Sequence, residues 1–248
     1  MGERSKLMVA QFKLCYSRTF ILRVYPLQTH EMLFDAHNHA FAVLGGIARR
    51  GIYDNMKTAV DKVRPGKARE INARFRTMVS HFLYEAEFCN PAAGWDKGQI
   101  EKTVQDARRW VWQHNPSFES LSALNAWLQQ RCLSLWQELK HPEQRQRVIG
   151  EVWAEEVGQL MPLPAPAPFD GFIEHTKRVS PTCLINFERN RYSVPAAFAN
   201  RAVSLQVYAD RLAVIAEGQR LAELARLIIR DHTEPGRMCS FSDFWTKC

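Results

Sequence analysis

Hydrophobic and polar positions alternate along the chain in a way that predicts a β-hairpin followed by a helix. Residues 7–14 and 20–25 are two apolar runs, and Pro26 ends the second, which is typical of paired strands. Thr29 then predicts a helix N-cap. The helix has one apolar face, which consists of Met32, Leu33, Ala36, Ala40, Val43 and Leu44. Gly45-Gly46 is expected to end this helix.

The next part of the chain mixes short strands with longer helices. A strand at 51–53 runs directly into Asp54, and the basic stretch around Pro65-Gly66 predicts a loop. The hydrophobic period then predicts a helix over 72–82, a strand over 84–89, and helices over 97–112 and 121–139.

The pattern changes once more after a proline-rich segment. Four prolines at alternate positions between Met161 and Asp170 predict a stiff, extended linker. Beyond it the hydrophobic period is two, which predicts strands over 184–187, 192–194, 203–207 and 212–215. The C-terminal part of the chain is therefore expected to form a small antiparallel sheet or barrel.

Composition narrows the class of protein. The 248 residues are 46% hydrophobic and 24% charged, which is typical of a folded globular chain. No apolar run is long enough to span a membrane, and the N-terminal apolar stretch is too short for a secretory signal. The six cysteines form no CxxC pair, so neither a zinc site nor a disulfide framework is indicated, and a reducing cytoplasm is the expected location.

Charge is concentrated in one segment. The formal net charge is +7, and the stretch from Gly45 to Arg76 holds nine basic residues against three acidic ones. Such a cluster favours a polyanion partner such as nucleic acid. A solvated basic loop without a ligand explains the same composition equally well.

Two carboxylates stand out as candidates for metal chemistry. Asp54 follows a predicted strand and Glu101 lies in the first turns of a predicted helix, and paired carboxylate oxygens are preferred ligands of Mg²⁺. Purely structural alternatives remain: an Asx turn at Asp54, and for Glu101 an ion pair with Lys97 or a favourable place at the helix N-terminus. The sequence has no P-loop, dinucleotide-binding, zincin or α/β-hydrolase motif.

Three segments resemble the IstA-type insertion-sequence transposases. Residues 49–60, RRGIYDNMKTAV, resemble the region of the family's second catalytic aspartate. Residues 88–104, from Phe-Cys-Asn-Pro through GWDKGQIEKTV, resemble the region of its catalytic glutamate, and residues 187–195, FERNRYSVP, resemble the start of its C-terminal β domain. The resemblance extends from about residue 7 to about residue 236, with the motifs in the family's order.

The resemblance implies a fold and a chemistry. The family has an RNase H-like integrase core in which Asp, Asp and Glu hold two Mg²⁺ ions, with Mn²⁺ as a substitute, to cut and join DNA. Asp54 is then the second aspartate and Glu101 the glutamate, as catalytic residues and metal ligands. The basic residues expected to contact DNA are Lys57, Arg64, Lys67, Arg69, Lys97 and Lys102. The implied partners are transposon ends and target DNA, further transposase subunits and an AAA+ ATPase helper.

The sequence also departs from the family. The strand that carries the first aspartate should precede residue 7, yet only Glu3 is acidic there, and the helix-turn-helix segments are absent. Residues 239–248 do not follow the family pattern. The expected molecule is therefore an α/β chain truncated at both ends, with an incomplete core and an unpaired edge or gap where the first strand belongs. The expected divisions are a core at 1–115, a helical extension at 116–160, a linker at 161–170, a small β-barrel at 171–230 and an aberrant tail at 231–248.

Three functions remain open from the sequence. The first is metal-dependent DNA cleavage and joining, with an activity that the loss of one carboxylate should sharply weaken. The second is an inert remnant that binds DNA or a transposase and acts as an inhibitor. The third, an RNase H-like nuclease unrelated to transposition, is disfavoured by the C-terminal β domain.

Overall fold

The computed structural model describes residues 5–53, 56, 58–63, 69–89, 106, 109–111, 117–165, 168–228 and 239–247. The chain divides into two compact units. Unit 1 consists of Met1–Gln28, Ala36–Phe169 and Glu234–Cys248, and unit 2 consists of Thr29–Asp35 and Asp170–Thr233.

The described residues form a mixed α/β fold. The strands are β1 (Ser5–Lys13), β2 (Phe20–Tyr25), β3 (Arg50–Tyr53), β4 (Val60–Val63), β5 (Arg69–Ile71), β6 (Glu85–Phe88), β7 (Ile173–Arg178), β8 (Leu184–Phe187), β9 (Asn190–Ser193), β10 (Ala202–Val207), β11 (Arg211–Ala216), β12 (Gln219–Ala225) and β13 (Cys239–Lys247). The helices are α1 (His30–Leu44), α2 (Ala73–Phe82), α3 (Leu121–Glu138) and α4 (Ile149–Glu156), with 3-10 turns at Val157–Gln159 and Ala196–Phe198. None of the helices in the described ranges has the length and apolar character needed to cross a bilayer.

Unit 1 is organised around a five-stranded sheet with the strand order β2-β1-β13-β3-β6. The predicted hairpin is confirmed, because β1 and β2 pair antiparallel from Met8–Tyr25 to Lys13–Phe20. On the other side of the sheet β3 and β6 pair parallel, with Tyr53 opposite Phe88. The alternating apolar residues of β1 and β2 are buried, among them Val9, Leu22 and Val24, none of which has any exposed surface.

The gap expected beside β1 is not present in the described sheet. The prediction of an unpaired edge is wrong because β13, from the tail expected to be aberrant, lies between β1 and β3. It pairs parallel with β1 over eight residue pairs and antiparallel with β3 at one, Lys247 opposite Tyr53. The physical reason is that an interior strand without a neighbour leaves a row of backbone N–H and C=O groups unpaired, and any extended segment within reach can satisfy them.

Helix α1 confirms the predicted helix and its apolar face. Met32, Ala40 and Leu44 are at most 3% exposed, and the helix ends at Leu44, just before Gly45, whose φ of +81° glycine adopts without strain. The predicted cap is only half correct. Thr29 occupies the cap position, with its carbonyl accepting from Leu33 N, but its buried hydroxyl makes no hydrogen bond among the described residues.

The loop predicted around Pro65-Gly66 is flanked by a hairpin that sequence patterning missed. Strands β4 and β5 pair antiparallel, with Val63 opposite Arg69. Helix α2 follows at once, and the side chain of Asn72 caps it by accepting hydrogen bonds from Arg74 N at 3.0 Å and Phe75 N at 3.4 Å.

Helix α3 covers the outer strand of the hairpin. Asn125 exchanges two hydrogen bonds with the backbone of Val24, at 2.8 and 3.0 Å, and Trp136 Nε1 donates to the Phe20 carbonyl at 2.8 Å. Cys132, which is buried on the same face, has its thiol pKa raised to about 12 by desolvation. These contacts attach the predicted helical extension to β2.

Unit 2 consists of an open four-stranded antiparallel sheet, in the order β12-β11-β10-β7, and a separate β8-β9 hairpin. Val203, Leu205 and Val207 alternate inward along β10, and Leu212 and Val214 do so along β11. Within residues 168–228, β7 pairs only with β10 and β12 only with β11, so the structure gives no closed barrel there. The barrel is therefore unsupported, because β8 and β9 pair with each other rather than closing the sheet.

Candidate functional site

Most of the residues predicted to carry chemistry lie outside the described part of the chain. These are Asp54, Lys57, Arg64, Lys67, Lys97, Glu101 and Lys102. Arg69 is the exception, as the first residue of β5. The structure therefore describes the framework next to the predicted site rather than the carboxylates themselves.

The part of this framework that lies next to Asp54 in the sequence is the end of β3. Tyr53 is the last residue of this strand, and Asp54 is the next residue in the sequence. The Cys89 backbone N–H donates to the Tyr53 carbonyl at 2.8 Å, which extends the β3-β6 pairing to the end of the strand. Tyr53 has no exposed surface.

A buried hydrogen-bond network, formed by the side chains of His37, Tyr53 and Tyr84, anchors this strand end. His37 Nε2 lies 2.9 Å from the Tyr53 hydroxyl, which also bonds to the Tyr84 hydroxyl. His37 and Tyr53 are fully buried and Tyr84 is 4% exposed. Because α1, β3 and the segment before β6 each contribute one side chain, the network connects three parts of unit 1 through hydrogen bonds.

Burial changes the acid–base behaviour of both phenols. Desolvation, reinforced by the neighbouring Tyr84, raises the pKa of Tyr53 well above its ordinary value. Desolvation also raises the pKa of Tyr84, although the hydrogen bond with Tyr53 opposes the shift. Both side chains are therefore neutral hydrogen-bonding groups at physiological pH.

Aromatic side chains surround the network. The Phe75 ring lies edge-on to Tyr53 with centroids 5.0 Å apart, and Phe88 packs at 5.8 Å. His37 stacks on Tyr53 at 5.8 Å with planes 25° apart. Close packing of this kind restricts the side-chain rotamers, so the end of β3 is a rigid support for the residue that follows.

The position of β13 also affects the candidate site. Lys247 lies opposite Tyr53, and Asp243, the one acidic residue of the strand, is four residues earlier. At about 3.3 Å per residue, Asp243 is roughly 13 Å along the strand from the end of β3. Among the described residues no group of three or more His, Cys, Asp or Glu side chains is placed to hold a metal.

Unit 2 contains a charged cluster that sequence reasoning did not single out. The guanidinium of Arg226, 1% exposed, donates to Glu31 at 2.8 Å, to the Tyr208 carbonyl at 2.7 Å and to Glu188 at 2.5 and 3.0 Å. Burial alone lowers the pKa of Arg226, but the hydrogen bonds and charges of Glu188 and Glu31 outweigh it and raise that pKa. Arg226 is thus a permanently charged link between Glu31 and Glu188.

The Phe-Glu-Arg-Asn motif gains a structural explanation from this cluster. Glu188 and Arg189 form the turn between β8 and β9, both with positive φ. Glu188 binds Arg226, and Asn190 Nδ2 donates to the Leu227 carbonyl at 2.6 Å. The motif therefore binds residues 226–227 within unit 2, and these contacts assign it a structural role.

Comparison with known proteins gives the chain clear relatives. The model of the Mu transposase C-terminal domain matches residues 163–233. A transposase of Aminobacter aminovorans is 61% identical over 236 residues, which are 95% of this chain and 46% of the relative. The transposase for insertion sequences IS1326/IS1353 of Pseudomonas aeruginosa is 59% identical over 235 residues, again 95% and 46%.

More distant similarities follow the same pattern. The transposase for insertion sequence element IS21 of Pseudomonas aeruginosa is 29% identical, covering 98% of this chain and 59% of the relative. The chain thus spans about half the length of the curated relatives it matches. Among solved structures, a chain of the simian T-cell lymphotropic virus intasome in complex with PP2A regulatory subunit B56 gamma has a TM-score of 0.43 at 13% identity, covering 90% of this chain and 77% of that one.

Proposed function

We propose that the chain belongs to the insertion-sequence transposases, the family that its motifs predicted, and that it acts on DNA in the bacterial cytoplasm. The reaction is metal-dependent cleavage and joining of phosphodiester bonds. The observation that carries the proposal is the 61% identity with a transposase over 95% of this chain. Association with further transposase subunits on transposon ends, and with an AAA+ ATPase helper, is part of the same proposal.

Asp54 and Glu101 are the proposed metal ligands and catalytic residues. Asp54 directly follows Tyr53, whose hydroxyl, carbonyl and ring are all fixed by neighbours, so the chain enters the proposed site from a rigid strand. Carboxylate oxygens suit Mg²⁺, or Mn²⁺ in its place. If Asp54 and Glu101 held a pair of these ions, the ions would supply activation of a water or 3′-hydroxyl and stabilisation of the leaving oxygen.

An RNase H-like arrangement of the core is part of the proposal. An antiparallel hairpin, β1-β2, forms one half of the sheet, and the parallel pair β3-β6 forms the other. Helix α1 connects the two halves in sequence. This layout supports a site at the end of β3, since carboxyl ends of parallel strands are common places for functional groups.

The basic residues Lys57, Arg64, Lys67, Arg69, Lys97 and Lys102 are proposed to bind DNA phosphates. Arg69 lies on β5, and the antiparallel pairing of β4 with β5 places it opposite Val63. The sequence between these two strands carries Arg64 and Lys67. Phosphate contacts position a nucleic acid without reading its sequence, so the binding should be independent of base sequence.

Salt dependence of DNA binding tests the electrostatic part of the proposal. With a short labelled duplex, log K should fall linearly with log salt by about 0.9 per phosphate contact. Reversing the charges of Arg64, Lys67 and Arg69 to Glu should flatten that slope by roughly 2–3. The matched control reverses Arg201, Arg211 and Arg220, each of which pairs with an acid in unit 2. Equal slopes for both triple variants would show that Arg64, Lys67 and Arg69 do not contact DNA phosphates.

A second candidate function is an inert chain that binds DNA or a transposase and inhibits transposition. The position of β13 favours it, because this strand occupies the edge of β1 that the family resemblance gives to the strand of the first aspartate. A strand-transfer assay with Mg²⁺ or Mn²⁺ separates the candidates. Product that disappears with Asp54→Asn and Glu101→Gln supports the enzyme. Absence of product, together with inhibition of a full-length relative by the added chain, supports the inhibitor.

A further inference from the structure

Strand β13 occupies an interior position of the sheet although it belongs to the opposite end of the sequence from β1. Its ladder with β1 extends from Ser5–Cys239 to Phe12–Lys247. With β3 it shares a single pair, Tyr53 with Lys247. The strand is therefore held mainly along its β1 edge, and its separation from the sheet requires the loss of that ladder and of the single pair with β3.

The contacts that hold β13 are available in every copy of the chain. A β-ladder consists of backbone hydrogen bonds, so the edge of β1 accepts an extended segment largely irrespective of which molecule supplies it. Without an occupant this edge would present a row of unpaired backbone groups, which favours pairing with another strand. Residues 239–247 of a second copy would pair with the edge of β1 through the same backbone hydrogen bonds.

We propose that the edge of β1 is a strand-acceptor site and that residues 239–247 are exchanged between copies of this chain, which associate by this exchange. Ten residues separate Ile228 from Cys239 in the sequence, and a segment of that length spans at most roughly 35 Å. The exchanged and unexchanged forms contain the same ladder, so the balance between them depends on protein concentration and connection length. The proposal is independent of the metal chemistry at Asp54.

An irregularity in the ladder supplies a matched control. The register passes from Leu7–Phe241 to Met8–Asp243, so Ser242 has no partner on β1. A change at residue 243 or 244 therefore affects a paired position. The same change at residue 242 affects a bulge in the same strand, where substitutions and even proline are tolerated better.

Disulfide trapping between full-length chains tests the exchange directly. A chain with Met8→Cys is mixed with a chain with Asp243→Cys, since facing residues of neighbouring strands meet the geometry of a disulfide. We expect a covalent dimer in which peptide mapping finds the 8–243 disulfide, with a yield that rises with protein concentration. Ser242→Cys in place of Asp243→Cys should lower the yield at least about tenfold. Peptide mapping also distinguishes this bond from disulfides of the native cysteines.

The double variant Met8→Cys with Asp243→Cys on one chain completes the test. If its disulfide forms only within single chains and the mixture yields no 8–243 dimer at any concentration, exchange does not occur and the proposal is overturned. It is equally overturned if neither sample forms the bond, because β13 then does not pair with β1.

A second measurement does not depend on cysteine chemistry. Proline cannot donate to a ladder, so Phe244→Pro should abolish the concentration-dependent dimer seen by sedimentation, whereas Ser242→Pro should retain it. A dimer that survives Phe244→Pro would show that the chains associate through another surface and would overturn the proposal.

Discussion

The five-stranded sheet of unit 1 and the four-stranded sheet of unit 2 differ in how far apart in the sequence their paired strands lie. In unit 2, β10, β11 and β12 are neighbours both in the sheet and in the sequence, joined by short turns. In unit 1, β1 pairs with β13, whose residues follow it by more than 230 positions. For β10 and β11, alternation and turn residues in a short window predict this kind of pairing. The pairing of β1 with β13 satisfies backbone groups that would otherwise lack hydrogen-bond partners, and no local sequence pattern predicts it.

The units also differ in how they satisfy buried polar groups. Unit 1 uses the neutral network of His37, Tyr53 and Tyr84, and unit 2 uses the charged cluster of Arg226 with Glu31 and Glu188. A buried charge without its partner is far more costly than a lost neutral hydrogen bond. Substitutions in unit 2 should therefore have the larger effects on stability.

The largest effect is expected for Arg226→Met. The substitution leaves Glu31, whose side chain is 6% exposed, without its cation, and such losses cost about 3–5 kcal/mol. Urea unfolding measures the loss. Adding Glu31→Gln to this variant should restore part of the stability, because it removes the uncompensated carboxylate. A loss no larger than that of Arg201→Ala, which breaks the exposed pair with Glu217, would contradict the assigned role.

A smaller effect is expected for Tyr53→Phe in unit 1. It removes the hydroxyl that joins His37 to Tyr84, and the loss of a buried hydrogen bond of this kind costs about 1–3 kcal/mol. The ring and its packing on Phe75 are kept, so the variant isolates the hydroxyl. Tyr84→Phe is the matched control, because it leaves the Tyr53 hydroxyl within hydrogen-bond distance of His37. Unchanged unfolding free energy for Tyr53→Phe would mean that the network does not stabilise the end of β3.

Alkaline pH should produce a graded effect on stability that acts on unit 1. The pKa values of Tyr53 and Tyr84 are raised in the folded state, so folding retains their protons when an unfolded chain would release them. The stability they contribute is complete below about pH 10, the unfolded phenol value. It declines as pH rises above 10, by roughly 1 kcal/mol per phenol and pH unit. Unfolding followed from pH 9 to pH 11 should show this decline, and Tyr53→Phe should lessen its slope. An equal slope in both proteins would contradict the raised pKa values.

The predictable parts of the fold are those with a local signal. The β1-β2 hairpin, α1 with its glycine end, α2 with Asn72 before it, and the β8-β9 hairpin all follow from short-range patterns. Strand β12 shows the opposite case. Its sequence, Gln-Arg-Leu-Ala-Glu-Leu-Ala, consists of helix-forming residues, yet pairing with β11 makes it a strand. Strand β7 was also missed, since most of its residues are polar, as is common at a sheet edge.

The residues in and around the candidate site also differ in whether a local sequence pattern predicts them. Asp54 and Glu101 were found from motifs, and their convergence stays a prediction. The buried network beside them was not foreseen, because His37, Tyr53 and Tyr84 are far apart in the sequence and come together only when α1 packs on the sheet. Arg226 was missed for the same reason, since Glu31 is 195 positions away. Such clusters have no periodicity from which a sequence can indicate them.

The most direct test of the proposed function is a crystal structure of the full chain with Mn²⁺ and a short DNA duplex. Anomalous scattering locates the metal independently of the protein. The account predicts Asp54 and Glu101 carboxylates about 4–8 Å apart, with Mn²⁺ between them and facing the DNA. Two well-ordered carboxylates separated by far more than about 8 Å, with no Mn²⁺ at either, would contradict it.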